Sequence, residues 1–587
     1  MKTERTIARL WRDAVARQRD GTAYLVQHDD HWHPVSWAEA ADRVENMANG
    51  LLARGVRKGD AFAIFARTTL EWALFDFALA HVGAIATPVY PNSSPKDAAY
   101  ILDHSESVGI LCEDAAQAAK VKEEQASLPR LHHVLTFEDL PGLEEEGARF
   151  KKEHPRELDD AVAAVGEEDL FTLQYTSGTT GPPKGCMVRH RNYYAMAAVI
   201  DHLPGYVRED DLMLLYLPLA HNFGRLMHLT APYVGYTIAF LADPLRTADA
   251  LLTVRPTVLP SVPRVYEKIH TAVLGALDET SGVERRIADW SFGIGREVGK
   301  RQETGRGVPW MLRLKYRLAE RLVFVKIRNR LGGRLRTPIS GGAPLGQEVA
   351  EFFDAVGIRI YEGYGLSECT TAATTNTPAR WRFGTVGPAL PSFELRIAAD
   401  GELLISSETV FAGYYKDPGA TAEVLGPDGW LRTGDIAEID ADGFVKITDR
   451  KKDIIVTAGG KNIAPQNLEN DLKVSKYISQ AVVVGDRRPY PAALVTLDEV
   501  EIGKWAQAHH IAGDMATLAT DPGVIALVQG VVDDVNRDRS RPEQIKRFLI
   551  LPRDFTIEQD EVTPTLKLRR RAIIRNFADA VEALYED

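Results

Sequence analysis

The chain has 587 residues and a mass of 64.9 kDa, with 45% hydrophobic and 26% charged residues, a globular composition that excludes a mostly disordered, collagen-like or membrane-embedded protein. Its 70 Lys and Arg against 82 Asp and Glu give a net charge of −12, so nucleic acid is not an expected partner and an anionic ligand has to be held locally. The three cysteines, Cys112, Cys186 and Cys369, lack paired metal-site spacing, which argues against a disulfide framework or a zinc knuckle and fits a reducing, cytoplasmic setting.

The first residues, MKTERTIARLWRDAV, mix both charges without the apolar run of a signal peptide. The most apolar stretches are Leu74 to Val89, interrupted by Asp76 and His81, and Leu229 to Ala242, which contains Pro232 and Gly235. Both fall short of the ~20 clean residues a membrane span needs, so they read as buried elements and no transmembrane segment is expected. From Ala61, AFAIFA, TLEWALFDFALAHVG and AIATPVY alternate a strand, a helix and a strand after the turn Lys58-Gly59-Asp60. Such a βαβ unit predicts a parallel sheet covered by helices, hence a large α/β body. Leu140 to Asp169 reads as an acidic, irregular, solvated stretch with Glu144, Glu145, Glu146, Glu167, Glu168 and Asp169. The strand LFTLQY then enters a glycine-rich turn, and from Gly401 the short strands GELLIS and DGFVKITD predict a β-rich subdomain. After Asp449 come RKKD, Gly459-Gly460 and the strand candidates AVVVGD and AALVTLD, followed by helical sequence. The expected division is a body over 1–449 and a small α+β domain over 450–587.

The turn after LFTLQY, Tyr175-Thr-Ser-Gly-Thr-Thr-Gly-Pro-Pro-Lys-Gly185, combines glycines, hydroxyls and one cation. Gly178 and Gly181 let backbone N–H groups turn onto phosphate oxygens, Thr176, Ser177, Thr179 and Thr180 add donors, and Lys184 adds charge. This is a polyphosphate loop. It is not a P-loop, because Lys184 is flanked by Pro183 and Gly185.

Further along lie Ser340-Gly-Gly-Ala-Pro344, Tyr361-Glu-Gly-Tyr-Gly365, Leu366-Ser-Glu368, Trp430-Leu-Arg-Thr-Gly-Asp435, Asp449-Arg-Lys-Lys-Asp453, Thr457-Ala-Gly-Gly-Lys-Asn-Ile463 and Glu561-Val-Thr-Pro-Thr-Leu-Lys-Leu568. Taken one by one they have plain readings. Gly341 and Gly342 form a strand-to-helix turn, Thr433-Gly434-Asp435 a tight turn, and Glu368 a solvated carboxylate. Lys567 opens a basic tail with Arg569, Arg570 and Arg571, a solvated helix face or a binder of CoA phosphates or anionic lipid. In this order, from Thr176 to Lys567, they resemble the motifs of the adenylate-forming superfamily, which includes acyl-CoA synthetases, luciferases and peptide-synthetase adenylation domains.

The resemblance implies roles for these residues. ATP or AMP is held by Thr176, Ser177, Gly178, Thr179, Thr180, Gly181 and Lys184. Gly341, Gly342, Ala343, Glu362, Gly363, Tyr364, Gly365, Leu366 and Ser367 grip the adenine, with Tyr364 against its face. Asp435 receives the ribose hydroxyls, and Arg450 meets ribose or phosphate, with Asp449 standing where many relatives have glycine. Glu368 and Thr176 hold Mg²⁺, an ion that prefers hard oxygen ligands. Lys567 is the catalytic lysine, stabilising charge on the phosphoryl and bridging oxygens as a carboxylate attacks. Lys452 is the hinge about which the small domain swings, and Gly459, Gly460 and Lys461 then line a channel for CoA. His221 and Phe223 gate the acyl pocket, although long-chain relatives commonly have Phe-Glu-Arg where this chain has Phe223-Gly224-Arg225.

The implied activity converts a carboxylic acid, ATP and CoA to acyl-AMP and then acyl-CoA, with release of pyrophosphate and AMP. The forms of 449–453 and 459–463 resemble long-chain synthetases, so a medium- to long-chain fatty acid is the expected substrate. An aryl or other acid:CoA ligase, a fatty acyl-AMP ligase serving a carrier protein, a luciferase-like oxygenase and a nucleotide-binding scaffold without catalysis are the alternatives. Peripheral contact with the inner membrane face is compatible with such a substrate, and oligomeric state is not legible.

Overall fold

The structure, a computed structural model, describes residues 4–18, 21–28, 31–176, 182–458, 461–537, 539–556, 558–563 and 568–586. The βαβ unit forms as its sequence dictates. Strands Ala61–Phe65 and Ile85–Val89 pair in parallel, joined by the helix Leu70–Val82. Thr69 caps that helix by accepting from the Trp72 N–H, and Gly83 ends it with φ +78°, a conformation glycine adopts freely. Every helix residue except Glu71 is buried, which is why its sequence is apolar all round rather than striped.

Around this unit grows a six-stranded sheet in the order His133–Thr136, Gly109–Cys112, Ala61–Phe65, Ile85–Val89, Leu170–Thr176 and Lys184–Arg189. All neighbours are parallel except the last pair. A second sheet of eight strands runs Thr374–Thr375, Tyr361–Tyr364, Thr337–Ser340, Val258–Ser261, Leu212–Leu215, Thr237–Phe240, Thr22–His28 and His31–Ser36, with antiparallel pairs only at its two edges. One continuous apolar core joins both sheets and the helices between them. The β-rich subdomain is an antiparallel sheet of Glu394–Ile397, Glu402–Ser406, Leu431–Ile439 and Val445–Arg450. The overall class, a multi-sheet α/β body with a smaller α+β domain at the C-terminal end, is as expected.

The C-terminal part has apolar clusters of its own. Its strands Ile478–Val484 and Ala492–Leu497 pair antiparallel, and Arg547–Ile550 adds in parallel. Ahead of them lies the short hairpin Ile455–Val456 with Asn462–Ile463.

Three local readings need correction. The acidic stretch from Leu140 is regular, forming helices Leu140–Glu153 and Glu157–Ala164. Only part of it is solvated, because Arg43 pairs with Glu144, Arg54 with Glu146, Arg5 with Glu167 and Lys58 with Asp169. These long-range partners could not be read from a local charge pattern. Thr433-Gly434-Asp435 is not a tight turn either but lies inside the strand Leu431–Ile439, with Gly434 at φ +72° where the pairing with Glu402–Ser406 shifts register. Finally, Arg570 is not on a solvated face: its guanidinium is buried against Glu469 at 2.7 Å and donates to the Val483 carbonyl at 2.7 Å.

Candidate active site

The carboxyl ends of the strands Leu170–Thr176, Thr337–Ser340 and Tyr361–Tyr364 meet at one cleft of about 1420 Å³, which residues of the C-terminal domain also line. Ligands of open α/β sheets bind at such ends. Thr176 stands opposite Lys184 in the antiparallel pair, so the residues on either side of the expected polyphosphate loop are neighbours. Ser177, Gly178, Thr179, Thr180 and Gly181 lie outside the described residues. Lys184 is half-buried, its ammonium 5.1 Å from the centre of the Tyr414 ring and 3.9 Å from Asp417.

Tyr414 links this cation to the candidate metal residue, since its hydroxyl donates to Glu368 at 2.6 Å. Burial and the Glu368 charge push the Tyr414 phenol upward, so it stays a neutral donor. The segment carrying it is fixed along the strand Lys184–Arg189, where Met187 N–H donates to the Gly413 carbonyl and Ala412 N–H to the Met187 carbonyl, both at 2.9 Å. The Phe411 N–H donates to the Glu368 carbonyl at 2.8 Å. Main chain and side chain of Glu368 are therefore held by the same short stretch.

The segment from Tyr361 to Glu368 shows why its glycines are required. A Cβ on Gly365 would sit 1.7 Å from the Thr371 carbonyl oxygen, so no other residue fits. Gly341 lies against the Phe223 ring, with 3.3 Å from a notional Cβ to the nearest ring carbon. Glu362 is buried and accepts from the Leu345 N–H at 3.3 Å, and burial raises its carboxyl to about 8. At neutral pH it is a protonated carboxyl that can donate as well as accept.

Asp435 is the meeting point of three of the expected residues. It accepts from the Tyr364 hydroxyl and lies 3.7 Å from the Arg450 guanidinium. The bulge at Gly434 is pinned by its N–H donating to Glu402 at 2.9 Å, and Lys451, next to the expected hinge, pairs with Glu402 at 3.0 Å. Asp449 is buried, and its carboxylate accepts from its neighbour Arg450 N–H at 2.6 Å and from Gln466 N–H at 3.4 Å across the domain junction. It thereby serves the start of the helix Pro465–Leu472, whose own cap residue Ala464 offers no side-chain acceptor. Burial raises the Asp449 carboxyl to about 6, opposed by those backbone N–H groups and by Arg570.

His221 and Phe223 both line the cleft. His221 caps the helix Asn222–Val234 by accepting from the Phe223 N–H at 3.2 Å. The cleft is also lined by the apolar side chains Met196, Ile200, Leu203, Leu226, Met227 and Val262. Three buried polar atoms of cleft-lining residues, Ser340 Oγ, Asn222 Nδ2 and Arg570 Nε, have no hydrogen-bond partner among the described residues. One cavity is thus lined by hydroxyls, carboxylates and a lysine together with a set of large apolar side chains.

Residues 11–415 match the family model described as AMP-binding enzyme, and residues 452–587 match AMP-binding enzyme C-terminal domain. The chain belongs to the AMP-binding enzyme family. It is 40% identical over 586 residues to the long-chain-fatty-acid–CoA ligase FadD15 of Mycobacterium tuberculosis, covering 97% of this chain and 95% of that one. It is also 31% identical to the long-chain-fatty-acid–CoA ligase ACSBG2 of Xenopus laevis, covering 99% and 84%. Among solved structures, the anthranilate CoA ligase AuaEII in complex with anthranoyl-AMP superposes with a TM-score of 0.75 at 19% identity, covering 100% of this chain and 99% of that one. That last likeness concerns the fold.

For this AMP-binding enzyme, every described residue expected at the site lines the one cleft except Lys461. Lys461 instead pairs with Glu543 of its own domain at 3.2 Å. Gly459, Gly460 and Lys567 lie outside the described residues, while Thr563 and Leu568, which precede and follow the stretch containing Lys567, both line the cleft. Lys452 is exposed at the junction. No motif singled out Tyr414, Glu402 or the pair Arg225 and Asp76. Arg225, fully buried, donates to Asp76 at 3.0 Å and to Thr172 at 2.7 Å, tying the helix that carries His221 to the strand that carries Thr176. The interruption of an apolar helix by Asp76 was the one available sign that an arginine must meet it.

Proposed function

We propose that this AMP-binding enzyme is a cytoplasmic, AMP-forming acid:CoA ligase acting on medium- to long-chain fatty acids. The observation that carries the reading is the single cavity lined both by the nucleotide-type residues Thr176, Lys184, Glu368, Tyr364 and Asp435 and by the apolar side chains Phe223, Met196, Leu203, Leu226 and Met227. The similarity to FadD15 and ACSBG2, both long-chain-fatty-acid–CoA ligases, supports the same substrate class.

In the first half-reaction the acid's carboxylate oxygen attacks the α-phosphorus of ATP. The bond to the bridging oxygen breaks, pyrophosphate leaves, and acyl-AMP remains. Thr176, Lys184 and the loop 177–181 hold the phosphates, Gly341 to Ala343 and Glu362 to Ser367 hold adenine, and Asp435 with Arg450 holds the ribose. Lys567 stabilises the negative charge that builds on the phosphoryl oxygens. Mg²⁺, when bound, supplies positive charge to the phosphates. The donor set fits it: Tyr414 engages one oxygen of Glu368, and the other has no partner among the described residues. Mg²⁺ commonly takes one or two carboxylates and fills the rest of its shell with phosphate oxygens and water.

In the second half-reaction the CoA sulfur attacks the acyl carbonyl and AMP leaves. Acyl-AMP is a mixed anhydride, so water has to stay out until the thiol arrives. A swing at Lys452 would bring Gly459, Gly460 and Lys461 to the cleft in place of Lys567. The lining by Thr563 and Leu568, with Lys461 held away on Glu543, supports the adenylating arrangement as the one seen here.

A panel of carboxylic acids of graded chain length, assayed for AMP release with and without CoA, tests the substrate class. Activity should peak among medium and long chains and turn over fully only with CoA. A preference for aromatic acids, or equal AMP release without CoA, would defeat the reading. Lys567→Ala should abolish pyrophosphate release yet keep thioester formation from supplied acyl-AMP. Equal loss of both steps would remove the lysine from its role.

A further inference from the structure

The helix Trp310–Ala319 continues through a π-turn, Glu320–Phe324, into the helix Val325–Asn329. One side of it is buried. Leu312, Ala319, Phe324 and Ile327 pack there, Leu312 beside Ile294 and Val298 of the preceding helix Gly282–Glu303, and the Phe324 ring 5.9 Å from that of Phe292. On the other side Trp310, Leu314, Leu318 and Leu322 recur every fourth residue with Met311 beside them, and they are exposed by 74, 61, 52, 40 and 56% respectively. Fourfold spacing puts such residues on one stripe of a helix.

The residues flanking that stripe are cationic. Residues 306–330 contain eight Lys or Arg and a single Glu, in a chain whose net charge is −12. The one Glu is spent internally, pairing with Arg328 at 2.6 Å. Arg313, Lys315, Arg317, Arg321 and Lys326 are all exposed and make no ion pair with a described carboxylate. An outer helix face with no function would carry polar residues of mixed sign. Large apolar side chains with a tryptophan, set between unpaired arginines and lysines, are the composition of a helix that lies at the boundary between lipid headgroups and acyl chains.

We propose that this helix is a membrane-surface docking site for an anionic bilayer, with Trp310, Met311, Leu314, Leu318 and Leu322 entering the headgroup layer and the cations meeting lipid phosphates. Charge complementarity selects the occupant, because a second copy of the same face would oppose cation to cation, whereas anionic headgroups satisfy them. Among the described residues no helix is long and apolar enough to cross a membrane, so the contact lies on the surface. The chain leads from this helix within a few residues to Arg336, which donates to the carbonyls of Gly205 and Tyr206, the latter a lining residue of the cleft. The binding stands on the surface alone. Its purpose, collection of acids that partition into bilayers, rests on the fatty-acid reading above.

The test is cosedimentation of the full chain with vesicles of phosphatidylglycerol and phosphatidylcholine, against vesicles of phosphatidylcholine only. The chain should partition at least about tenfold more strongly to the anionic vesicles, and less so as salt is raised. Leu314→Glu with Leu318→Glu, and separately Arg313→Glu with Arg317→Glu, should each cut that partition by about tenfold or more, with the far-ultraviolet circular dichroism of the native chain retained. Absence of binding to anionic vesicles, binding that both variants leave intact, or a native dimer that Leu314→Glu with Leu318→Glu converts to monomer would overturn the proposal. Turnover of octanoate without vesicles reads the ligase assignment separately. It should be the same in native chain and variants, and its absence from the native chain would remove that assignment while leaving the vesicle result to stand.

Discussion

The hydroxyl of Tyr414 holds Glu368 at 2.6 Å while its ring lies 5.1 Å from the Lys184 ammonium, so one side chain sets the spacing between the phosphate-loop cation and the carboxylate proposed for Mg²⁺. A hydrogen bond to a charged acceptor contributes about 1.5–3 kcal/mol net. Tyr414→Phe should therefore raise the Mg²⁺ concentration for half-maximal pyrophosphate release by about tenfold, and an unchanged metal titration would dissociate Tyr414 from the site. Glu362 makes a second prediction. Its carboxyl is raised from 4.5 to about 8 by burial, so between those values the unfolded chain has released a proton that the folded chain keeps. Stability then falls with rising pH across that window and levels off above it. Glu362→Gln should remove this dependence, and the stability of the variant relative to the native chain should climb by roughly 1.4 kcal/mol per pH unit between about pH 5 and 8. Urea unfolding of the ligand-free proteins over that range checks it.

The helix Asn222–Val234 explains why the sequence departs from the long-chain pattern at Gly224. A Cβ there would lie 2.6 Å from the Pro218 carbonyl oxygen and 2.8 Å from that of Leu217. The first turn of the helix is pressed onto the backbone ahead of it, with His221 capping from the same side and Arg225 anchored below to Asp76 and Thr172. Gly224→Glu should destabilise the chain by about 1–3 kcal/mol through forced displacement of this backbone. Because His221 and Phe223 move with it, KM for the acid should rise more than KM for ATP. A variant with native melting and an unaltered acid KM would contradict the close approach. In sequence the Phe-Gly-Arg departure left chain-length specificity open. It is a matter of backbone proximity, which no local pattern encodes.

At the scale of the whole molecule, the two domains meet along the helix Pro263–Asp278. Arg264 donates to the Ser479 carbonyl at 2.8 Å, Glu267 pairs with Lys473 at 3.3 Å, and Asp278 pairs with Lys476. These positions share one face of the helix, and each partner lies in the C-terminal domain. Under the swing proposed at Lys452, contacts of this kind belong to one domain pose and have to break for the other. Lys473→Glu with Lys476→Glu should then slow pyrophosphate release several-fold while sparing conversion of supplied acyl-AMP to acyl-CoA. Equal slowing of the two half-reactions would show that the pairs serve folding rather than pose.

The sequence alone determined the parallel α/β body and the β-rich subdomain, because each is written in local periodicity, and it offered the candidate nucleotide residues through contiguous motifs that resemble those of a known family. The buried helix Leu70–Val82 and the strand Leu170–Thr176 entering the polyphosphate loop were legible for that reason. Tertiary structure decided which charges are solvated and which are paired, since Glu144 finds Arg43 and Arg570 finds Glu469 at separations of about a hundred residues. It also turned Thr433-Gly434-Asp435 from a turn into a bulged strand, supplied Tyr414 to Glu368, and brought apolar side chains and the candidate nucleotide residues to the lining of one cleft. Spacing along a chain records what lies on one face of one element. Which faces meet is fixed only when the whole chain buries its apolar surface and pairs the polar groups that burial would otherwise strand.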